Sequence, residues 1–460
     1  MTDLTGRKLH RLNEQLPGRV SMPGDAGYAA ATAIWAKPAG PLPRAVIHCR
    51  TSKDVQTAVR ATRDCDLALS VRGGGRDWAG RALCDGVVID LRDMNAVVVD
   101  PTDRSAKVAG GARAADVVAA TDPLGLAAVT GSVGAVGMAG LTLGGGYGPL
   151  IGRFGLAVDN LVAAEVVLAD GRIVAADQDS EDELFWALRG GGGNFGVVTA
   201  MRHRVHELRT VRSGLLVYPF AEAKMVFQRC ADVAASAPEE LTVQVALAAG
   251  PDGTRVAMIV PTWSGAPAEG DARIEPFLKL GTLLSGSVDT TSYGRSLSVF
   301  DAFTVKGRRT FMETCWIPDL GGESIDVFIQ AAERAVSRGC AILTHEFKGA
   351  ASRVAAGATA FGLRHDHVLV EIVAAFDDRS DKSEEERHRQ WADATRHAFD
   401  ASALPGGYPN LLAAGEPDRV AKSYGGNARR LVTAKRNYDP DNVFCSAIPL
   451  PATVTLADVV

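Results

Sequence analysis

The segment from Gly131 to Asn160 constrains the fold most, because ten of its thirty residues are glycine and its first charged residue is Arg153. Glycine loses more backbone freedom on folding than any other residue, so this density needs a structural purpose. Backbone N–H groups without a neighbouring Cβ can surround a pyrophosphate or lie against a planar ring. Alternatively, the glycines form tight turns inside a core of small residues. Two flanking clusters, Gly73–Gly75 and Gly190–Gly193, favour the ligand-binding interpretation.

The composition is that of a globular protein. The 460 residues suffice for two to three domains, and 47% are hydrophobic and 22% charged. A net charge of −5 predicts no nucleic-acid partner. Seven cysteines without a CxxC pair argue against a zinc site and a disulfide framework. The first twenty residues lack the apolar core of a signal peptide, and no apolar run could cross a bilayer, which predicts a cytoplasmic protein without a membrane partner.

The first part of the chain alternates short apolar strands with helices. Residues 1 to about 37 are predicted to form a helical lead-in, followed by a Pro/Gly loop at 38–43. A strand at Ala45–His48, a helix capped by Thr51 and a strand at 67–72 form a predicted βαβ unit. Further strands are predicted at 86–91, 96–100, 161–168 and 196–205, and further helices at 116–121 and 181–189.

After about residue 210 the glycines thin out and longer alternating segments appear. Strands are predicted at 241–247, 255–260, 309–316 and 367–376, with helices at 324–337 and 382–399. This pattern predicts a second α+β domain with an antiparallel sheet, one face open to a ligand and the other covered by helices.

Common catalytic motifs are absent or out of context. Gly191, Gly193 and Gly196 spell GxGxxG, but a helix is predicted before them and a strand after, which reverses the order of a Rossmann fold. No GxxxxGK[ST], GxSxG or HExxH occurs. His365 and His367 are the only close histidine pair and lack a third ligand, so we expect no metal.

Two features of the central glycine segment stay open at this point. Tyr147 could pack on a planar ligand or fill the core, and the spacing does not decide between them. The step from Asp159 to Asn160 is equally compatible with loop capping and with a functional role.

The three glycine clusters together with a C-terminal motif are specific. The matching segments are 71–75, 86–91, 94–95, 140–148, 155–160 and 184–198, then 424–427, 430–431, 435, 438–440 and 442–444. They resemble the PCMH-type FAD-binding domain of the vanillyl-alcohol-oxidase superfamily and, within it, the berberine-bridge-enzyme-like branch. The resemblance covers roughly residues 38–208 and 408–449, and 360–364 is its best anchor between them.

The resemblance implies an α+β fold with a two-subdomain FAD-binding domain and an α+β substrate domain with an antiparallel sheet. The implied domains are an N-terminal lead-in at 1–37, an FAD-binding domain at 38–208, a substrate domain at 209–407 and a C-terminal return to the FAD-binding domain at 408–460. The residues implied to bind FAD are Val71, Arg72, Gly73, Gly74, Gly75, Arg76, Asp77, Gly131, Ser132, Val136, Gly137, Gly140, Leu143, Gly144, Gly145, Tyr147, Gly148, Asn160, Gly196 and Val198.

The chain departs from the family at both covalent flavin anchors. Arg76 stands where a histidine usually attaches to the flavin, and Val133 where two-link members carry a cysteine. A protonated guanidinium is not a nucleophile and valine cannot form the bond, so we predict non-covalent FAD. Arg76 either places a positive charge near the flavin ring or binds the diphosphate or a neighbouring carboxylate. Val136 matches the family's oxygen gatekeeper and favours an oxidase over a dehydrogenase.

Candidates for the catalytic base come from the family's substrate-facing regions. They are Tyr424, Tyr408, Glu371 and His345, each of which is also compatible with a structural role. The segment 445–449 is contracted relative to the family, which puts its usual flavin contacts in doubt.

The resemblance therefore implies an FAD-dependent oxidoreductase. We expect hydride removal from a C–H next to oxygen or nitrogen of a mid-sized organic substrate, a specialised metabolite, with molecular oxygen as acceptor. The alternative is a non-redox cyclase or isomerase on the same flavoprotein scaffold. The sequence leaves open whether the protein is a monomer or a homodimer.

Overall fold

The structure is a computed structural model that describes residues 11–37, 40–377, 381–413 and 415–451. The parts of the predicted lead-in at 1–10, of the Pro/Gly loop at 38–39 and of the C-terminal return at 414 and 452–460 lie outside the described residues. Three sheets organise the described chain: a four-stranded, a five-stranded and a nine-stranded one.

The four-stranded sheet has the order β1-β2-β4-β3, with β2, β4 and β3 parallel. Its strands are β1 (Val20–Ser21), β2 (Ala45–His48), β3 (Leu69–Arg72) and β4 (Val87–Asp90). Helix α3 (Ser52–Asp64) connects β2 to β3 and begins at a capping box in which Thr51 accepts from the backbone N–H of Asp54. The predicted βαβ unit is confirmed. The prediction of a helical lead-in was wrong in part, because the lead-in contains strand β1, which pairs antiparallel with β2.

The five-stranded sheet is antiparallel, in the order β5-β6-β10-β8-β9. Its strands are β5 (Val97–Asp100), β6 (Ser105–Ala109), β8 (Leu161–Val167), β9 (Ile173–Ala176) and β10 (Val197–Arg204). Short strands β7 (Leu126–Ala127) and β11 (His206–Glu207) pair separately. The sequence missed β6 and β9, which follow turns closely and lack a long apolar run.

The nine-stranded sheet is antiparallel, with the main order β16-β13-β15-β14-β19-β20-β18. Its strands are β12 (Val211–Ser213), β13 (Leu216–Pro219), β14 (Leu241–Ala249), β15 (Arg255–Trp263), β16 (Ser285–Gly286), β17 (Asp289–Thr291), β18 (Arg309–Ile317), β19 (Cys340–Phe347) and β20 (His367–Phe376). One face packs its apolar side chains against helices α8 (Ala223–Ala235), α11 (Gly322–Glu333) and α12 (Lys382–Ala398). The predicted antiparallel sheet with one helix-covered face is thus confirmed.

The helices complete the layers. They are α1 (described over 11–15), α2 (Ala26–Thr32), α3, α4 (Ala114–Thr121), α5 (Met138–Leu143), α6 (Ile151–Phe154), α7 (Asp182–Gly191), α8 (Ala223–Ala235), α9 (Gly270–Ile274), α10 (Tyr293–Ser296), α11 (Gly322–Glu333), α12 (Lys382–Ala398), α13 (Pro417–Tyr424) and α14 (Ala428–Tyr438). Within the described ranges, none of these helices is long and apolar enough to cross a membrane.

The C-terminal helices return to the first part of the chain. Helix α14 packs on α7, and Lys435 Nζ donates to the carbonyl of Asn194 at 2.8 Å and to the carboxylate of Asp439 at 2.6 Å. This contact brings residues 444–448 next to the third glycine cluster. The boundaries of the four predicted domains stay predictions.

Candidate active site

A cavity of about 920 Å³ lies between the glycine clusters and the open face of the nine-stranded sheet. It is near the upper end of the ~300–1,000 Å³ common for ligand sites. We call the side formed by residues 73–75, 131–143 and 192–198 the glycine wall. The opposite side, the sheet wall, consists of Gln244, Ala246, Ala248, Ala341, Leu343, His345, Glu371, Val373 and Ala375.

The glycine wall forms where the first two clusters cross. A Cβ on Gly74 would lie 2.4 Å from the Cα of Gly137, and one on Gly137 would lie 2.6 Å from the amide nitrogen of Gly74. Real Cβ atoms do not approach backbone this closely, so both positions need glycine. At Gly140, in contrast, an added Cβ would meet nothing within 4 Å and would face open space. Close backbone packing therefore explains the glycines at 74 and 137, and the ligand-binding interpretation of the glycine density stays a prediction.

Fifteen of the twenty residues implied to bind FAD line this cavity. They are Val71, Gly73, Gly74, Gly75, Arg76, Asp77, Gly131, Ser132, Val136, Gly137, Gly140, Leu143, Tyr147, Gly196 and Val198. Glycine clusters that are far apart in the sequence therefore lie on the wall of one cavity.

The other five do not line it: Arg72, Gly144, Gly145, Gly148 and Asn160. The guanidinium of Arg72 is buried against Asp90 at 3.5 Å. The side-chain amide of Asn160 donates to the carbonyls of Phe154 and Leu156, both at 2.9 Å.

The remaining three glycines serve backbone packing. A Cβ on Gly148 would lie 1.8 Å from the carbonyl oxygen of Thr130. One on Gly144 would overlap the side chain of Asn410, and Gly145 has φ +129°. Such a φ favours glycine, so these positions fix the loop rather than face a ligand.

The sheet wall follows the period of two along three neighbouring strands. Its side chains come from every second residue of β14, β19 and β20, and the residues between them point into the helix-covered core. Because β19 pairs with both β14 and β20, these residues form one continuous surface. The surface is apolar except for Gln244, His345 and Glu371.

Those three polar side chains lie side by side. The Gln244 amide lies 2.7 Å from His345 Nδ1 and 3.4 Å from the carbonyl of Thr344, which identifies it as the donor. Nδ1 of His345 therefore accepts, which leaves the ring proton on Nε2. His345 Nε2 lies 3.1 Å from Glu371 Oε1.

Tyr408 lines the cavity, whereas Tyr424 does not. The Tyr408 hydroxyl accepts from the amide of Gly146 at 3.0 Å and from Asn410 Nδ2 at 2.9 Å, and burial raises its pKa to about 12. The Tyr424 hydroxyl donates to the carbonyl of Pro449 at 3.1 Å, and burial raises its pKa. Tyr424, our first sequence candidate for the base, is thus a packed aromatic with a satisfied hydroxyl.

Tyr147 belongs mainly to the core. Its hydroxyl lies 2.7 Å from His367 Nε2 and accepts from the indole of Trp316 at 3.1 Å. Burial raises the pKa of Tyr147 well above its usual value and lowers that of His367 to about 3. Next to it, Asp159 forms a buried ion pair with Arg364 at 2.8 Å. The structural interpretations of Tyr147 and Asp159 are the ones these contacts support.

Arg76 stacks on the indole of Trp35, with 4.5 Å between the guanidinium carbon and the ring centroid. Burial lowers the pKa of Arg76, while the charges of Glu371 and Asp301 act in the opposite direction. Both acidic residues come from the segment that forms the nine-stranded sheet, so the side chain of Arg76 lies on the side of the cavity next to this sheet. Val133 also lines the cavity.

The donors of the cavity fit FAD. The hydroxyl of Ser132 and the indole N–H of Trp78 are buried without a hydrogen-bond partner in the described chain, and buried polar groups in proteins are paired. Gly140 leaves open space in the lining of the same cavity. An elongated ligand with many acceptor oxygens supplies the partners that these groups lack, and no described cluster of side chains could hold a metal.

Several lining residues were not named from the sequence. They include Trp35, Trp78, Arg81, Asn410, Ser446, Ala447 and Ile448, and the segment 300–305. Ile448 would contact a Cβ on Gly192 at 2.5 Å, so the contracted segment at 445–449 does reach the glycine wall. The C-terminal motif was the available signal for this contact.

The chain is similar to FAD-linked oxidoreductases. Residues 43–177 match the FAD binding domain family, and residues 407–451 match the family described as berberine and berberine like. An uncharacterized FAD-linked oxidoreductase of Bacillus subtilis is 30% identical over 439 residues, 94% of this chain and 97% of that protein. The (R)-6-hydroxynicotine oxidase of Paenarthrobacter nicotinovorans is 40% identical over 205 residues, 44% of this chain and 45% of that protein.

Solved structures have the same fold. The 6-hydroxy-D-nicotine oxidase from Arthrobacter nicotinovorans matches with a TM-score of 0.85 and 27% identity, over 95% of this chain and 98% of that chain. A variant of berberine bridge enzyme matches with a TM-score of 0.85 over 97% of this chain and 100% of that chain. At 20% identity, the second match concerns the fold alone.

Proposed function

Because the chain belongs to the berberine-bridge-enzyme-like family of FAD-linked oxidoreductases, we propose that it oxidises an organic alcohol or amine at the C–H next to oxygen or nitrogen. FAD, when bound, supplies the hydride acceptor. The observation that carries the proposal is the close pair of His345 and Glu371, 3.1 Å apart on the sheet wall and opposite the glycine wall of the same cavity.

Glu371 acts as the base in this proposal. Its carboxylate accepts the proton of the substrate's O–H or N–H while the adjacent carbon loses a hydride, which leaves a C=O or C=N bond. The Nε2 atom of His345 lies 3.1 Å from one carboxylate oxygen of Glu371, and Glu371 lines the cavity. Gln244 fixes the tautomer of His345 that carries its proton on this nitrogen.

Tyr408 is proposed to orient the substrate. Its oxygen already accepts two hydrogen bonds, so its own proton is available to a substrate oxygen or nitrogen. With a pKa raised to about 12 it stays protonated at neutral pH and does not compete with Glu371 as base.

The substrate is proposed to have an apolar body. We call Gln244, His345 and Glu371 the polar triad. The rest of the cavity also carries aliphatic and aromatic side chains: Met258, Phe300, Phe303, Val305, Met312, Leu343 and Val373. Transfer of apolar surface into such a lining is favourable by ~25 cal/mol per Å², which supports a mid-sized metabolite over an oligosaccharide.

FAD is proposed to bind non-covalently, with molecular oxygen as the final acceptor. The lining holds Arg76 and Val133 at the two anchor positions, and neither side chain can bond to the flavin. Val136 adds a small side chain to the same lining, which supports access for oxygen. The relatives described above are named as oxidoreductases and oxidases, so we do not propose the cyclase or isomerase alternative.

The test is an anaerobic titration of the purified holoenzyme with rigid secondary alcohols and cyclic amines, followed by the visible absorbance of FAD. We expect at least one compound to bleach the absorbance and air to restore it. Acid precipitation should leave all FAD in the supernatant. Absorbance that no compound of either class bleaches would contradict the proposed reaction, and FAD in the pellet would contradict non-covalent binding.

A further inference from the structure

The arginines of the cavity differ in their partners. Four line it: Arg76, Arg81, Arg308 and Arg338. The protein partners of the last three are the carbonyl oxygens of Asn410, Leu412 and Pro251 and the carboxylate of Asp377. Arg76 has neither a hydrogen bond nor an ion pair within the described residues, and its Nη1 atom is buried.

The indole of Trp35 adds a second donor to this place. Its Nε1 atom is also buried without a partner in the described chain, and its ring carries the Arg76 guanidinium at 4.5 Å. The backbone holds Trp35 there, because its N–H donates to Gly75 at 2.8 Å and its carbonyl accepts from Gly307 at 2.9 Å. The guanidinium of Arg76 and the indole N–H of Trp35 therefore lie close together, and neither Nη1 nor Nε1 has an acceptor in the described chain.

A partly buried cation whose Nη1 atom is fully buried without a partner is costly in a folded protein. A guanidinium stays protonated at neutral pH, and burying a charge is tolerated where a counter-charge or hydrogen bonds compensate it. Glu371 and Asp301 act on Arg76 electrostatically, but neither forms an ion pair with it. The missing partner must therefore come from a molecule bound in the cavity.

We infer that Arg76 and Trp35 bind an oxyanion of the substrate, most simply a carboxylate. This inference rests on the proposed function of the same cavity and specifies its substrate class: an organic acid with an apolar body and an oxidisable hydroxyl or amine. Arginine and an indole N–H donate and do not accept, so they bind an acceptor oxygen, and the charge of Arg76 favours a carboxylate over the neutral oxygen of an amide or a hydroxyl. Glu371 then receives the opposite, proton-donating end of the molecule.

The same donors could serve an oxygen atom of FAD, so the test must separate these two sources. The probes are cinnamate and cinnamamide, which share their apolar body and differ in charge. Each is titrated into the holoenzyme, and binding is followed by the change in the visible spectrum of FAD and by calorimetry. FAD content per protein is measured on every variant after acid release. Turnover is not needed for any of these readouts.

We expect the wild-type protein to bind cinnamate about 10- to 100-fold more tightly than cinnamamide, the range of a hydrogen bond to a charged group. Arg76→Met should reduce this preference to about 2-fold or less, measured on the FAD-loaded fraction of the protein. Trp35→Phe keeps the ring and removes the N–H, and should reduce the preference about 3- to 10-fold. Arg338→Met, at a cavity arginine with a protein partner, should keep the wild-type preference.

Two results would overturn the inference. The first is a wild-type holoenzyme that does not bind cinnamate more tightly than cinnamamide. The second is an Arg76→Met protein that folds but loses FAD, which would assign the donors to the cofactor. Neither result touches the oxidoreductase reaction itself, whose failure would appear as unbleached FAD in the anaerobic titration.

Discussion

The two walls of the cavity are built in opposite ways. The glycine wall is backbone that side chains would obstruct, and its two loops touch at Gly74 and Gly137. The sheet wall is made of side chains that a regular antiparallel ladder presents at every second residue. Cofactor binding therefore depends here on residues without side chains, whereas the reaction and the choice of substrate depend on a few polar side chains in an apolar surface.

The largest expected effect is that of Glu371→Gln, which should slow the reaction without changing the binding of FAD. Glu371→Gln removes the proposed base from the sheet wall and should slow anaerobic bleaching of FAD by a substrate about 10²- to 10⁴-fold. FAD content should not change, because Glu371 is not part of the glycine wall. The control is Glu384→Gln, since Glu384 also lines the cavity but belongs to α12. A Glu371→Gln protein with the wild-type bleaching rate would remove Glu371 from the mechanism.

The second prediction concerns acid stability of the half that carries the glycine wall. His203 of β10 is fully buried without a partner for either ring nitrogen in the described chain, and burial lowers its pKa to about 4. The unfolded imidazole gains its proton near pH 6.5. Stability is therefore complete above pH 6.5 and falls by about 3 kcal/mol as the pH drops to about 4.

Urea unfolding at pH 7 and pH 4.5 measures this loss. His203→Val cannot bind the proton, so its free energy of unfolding should fall by less than that of the wild-type protein over the same interval. Equal losses in the two proteins would show that other groups govern acid unfolding.

The third prediction breaks the glycine wall at its crossing point. Gly74→Ala puts a Cβ 2.4 Å from the Cα of Gly137, and the backbone shift should lower the free energy of unfolding by about 1–3 kcal/mol. FAD content should fall with it. Gly322→Ala is the matched control: its Cβ meets nothing within 4 Å, it begins α11 and it does not line the cavity, so neither stability nor FAD content should fall. A Gly74→Ala protein with full FAD content would contradict the prediction that FAD binding requires the close approach of Gly74 and Gly137.

The smallest effect tests whether the triad on the sheet wall acts as a unit. Gln244→Leu removes the donor to His345 Nδ1, so the tautomer that holds Glu371 is no longer fixed. We expect about a 5- to 10-fold slower bleaching rate, the range of one hydrogen bond, with unchanged FAD content. Gln390→Leu, at an exposed glutamine that bonds Glu386 on α12, should leave the rate unchanged. A bleaching rate in Gln244→Leu equal to that of this control would contradict the role of Gln244.

The same contrast explains what the sequence could predict. The glycine wall could be identified because its signal is local: each cluster is a contiguous run, and their order carries the family resemblance. Strand β20 was found at both ends because HVLVEIVAAF is a continuous apolar run rich in β-branched residues, interrupted only by Glu371. Strand β19 carries His345, yet it was missed as a strand because its residues become a wall only through pairing with β14 and β20.

The errors lie where long-range contacts decide. Trp35 falls in a segment predicted to be helical, and its place depends on backbone bonds to Gly75 and Gly307. Tyr424 belongs to a family motif, but the direction of its hydroxyl depends on Pro449, which the motif does not specify. Residue type and spacing carry neither piece of information, whereas they do carry periodicity and glycine density.

The contact of Ile448 with Gly192 has a consequence for biosynthesis. The ribosome synthesises the glycine wall first, then the whole substrate domain, and only afterwards the segment 444–448 that closes the wall from the side. Domains fold in the order in which they emerge. The glycine wall therefore gains its contact with Ile448 only after the whole substrate domain has been synthesised.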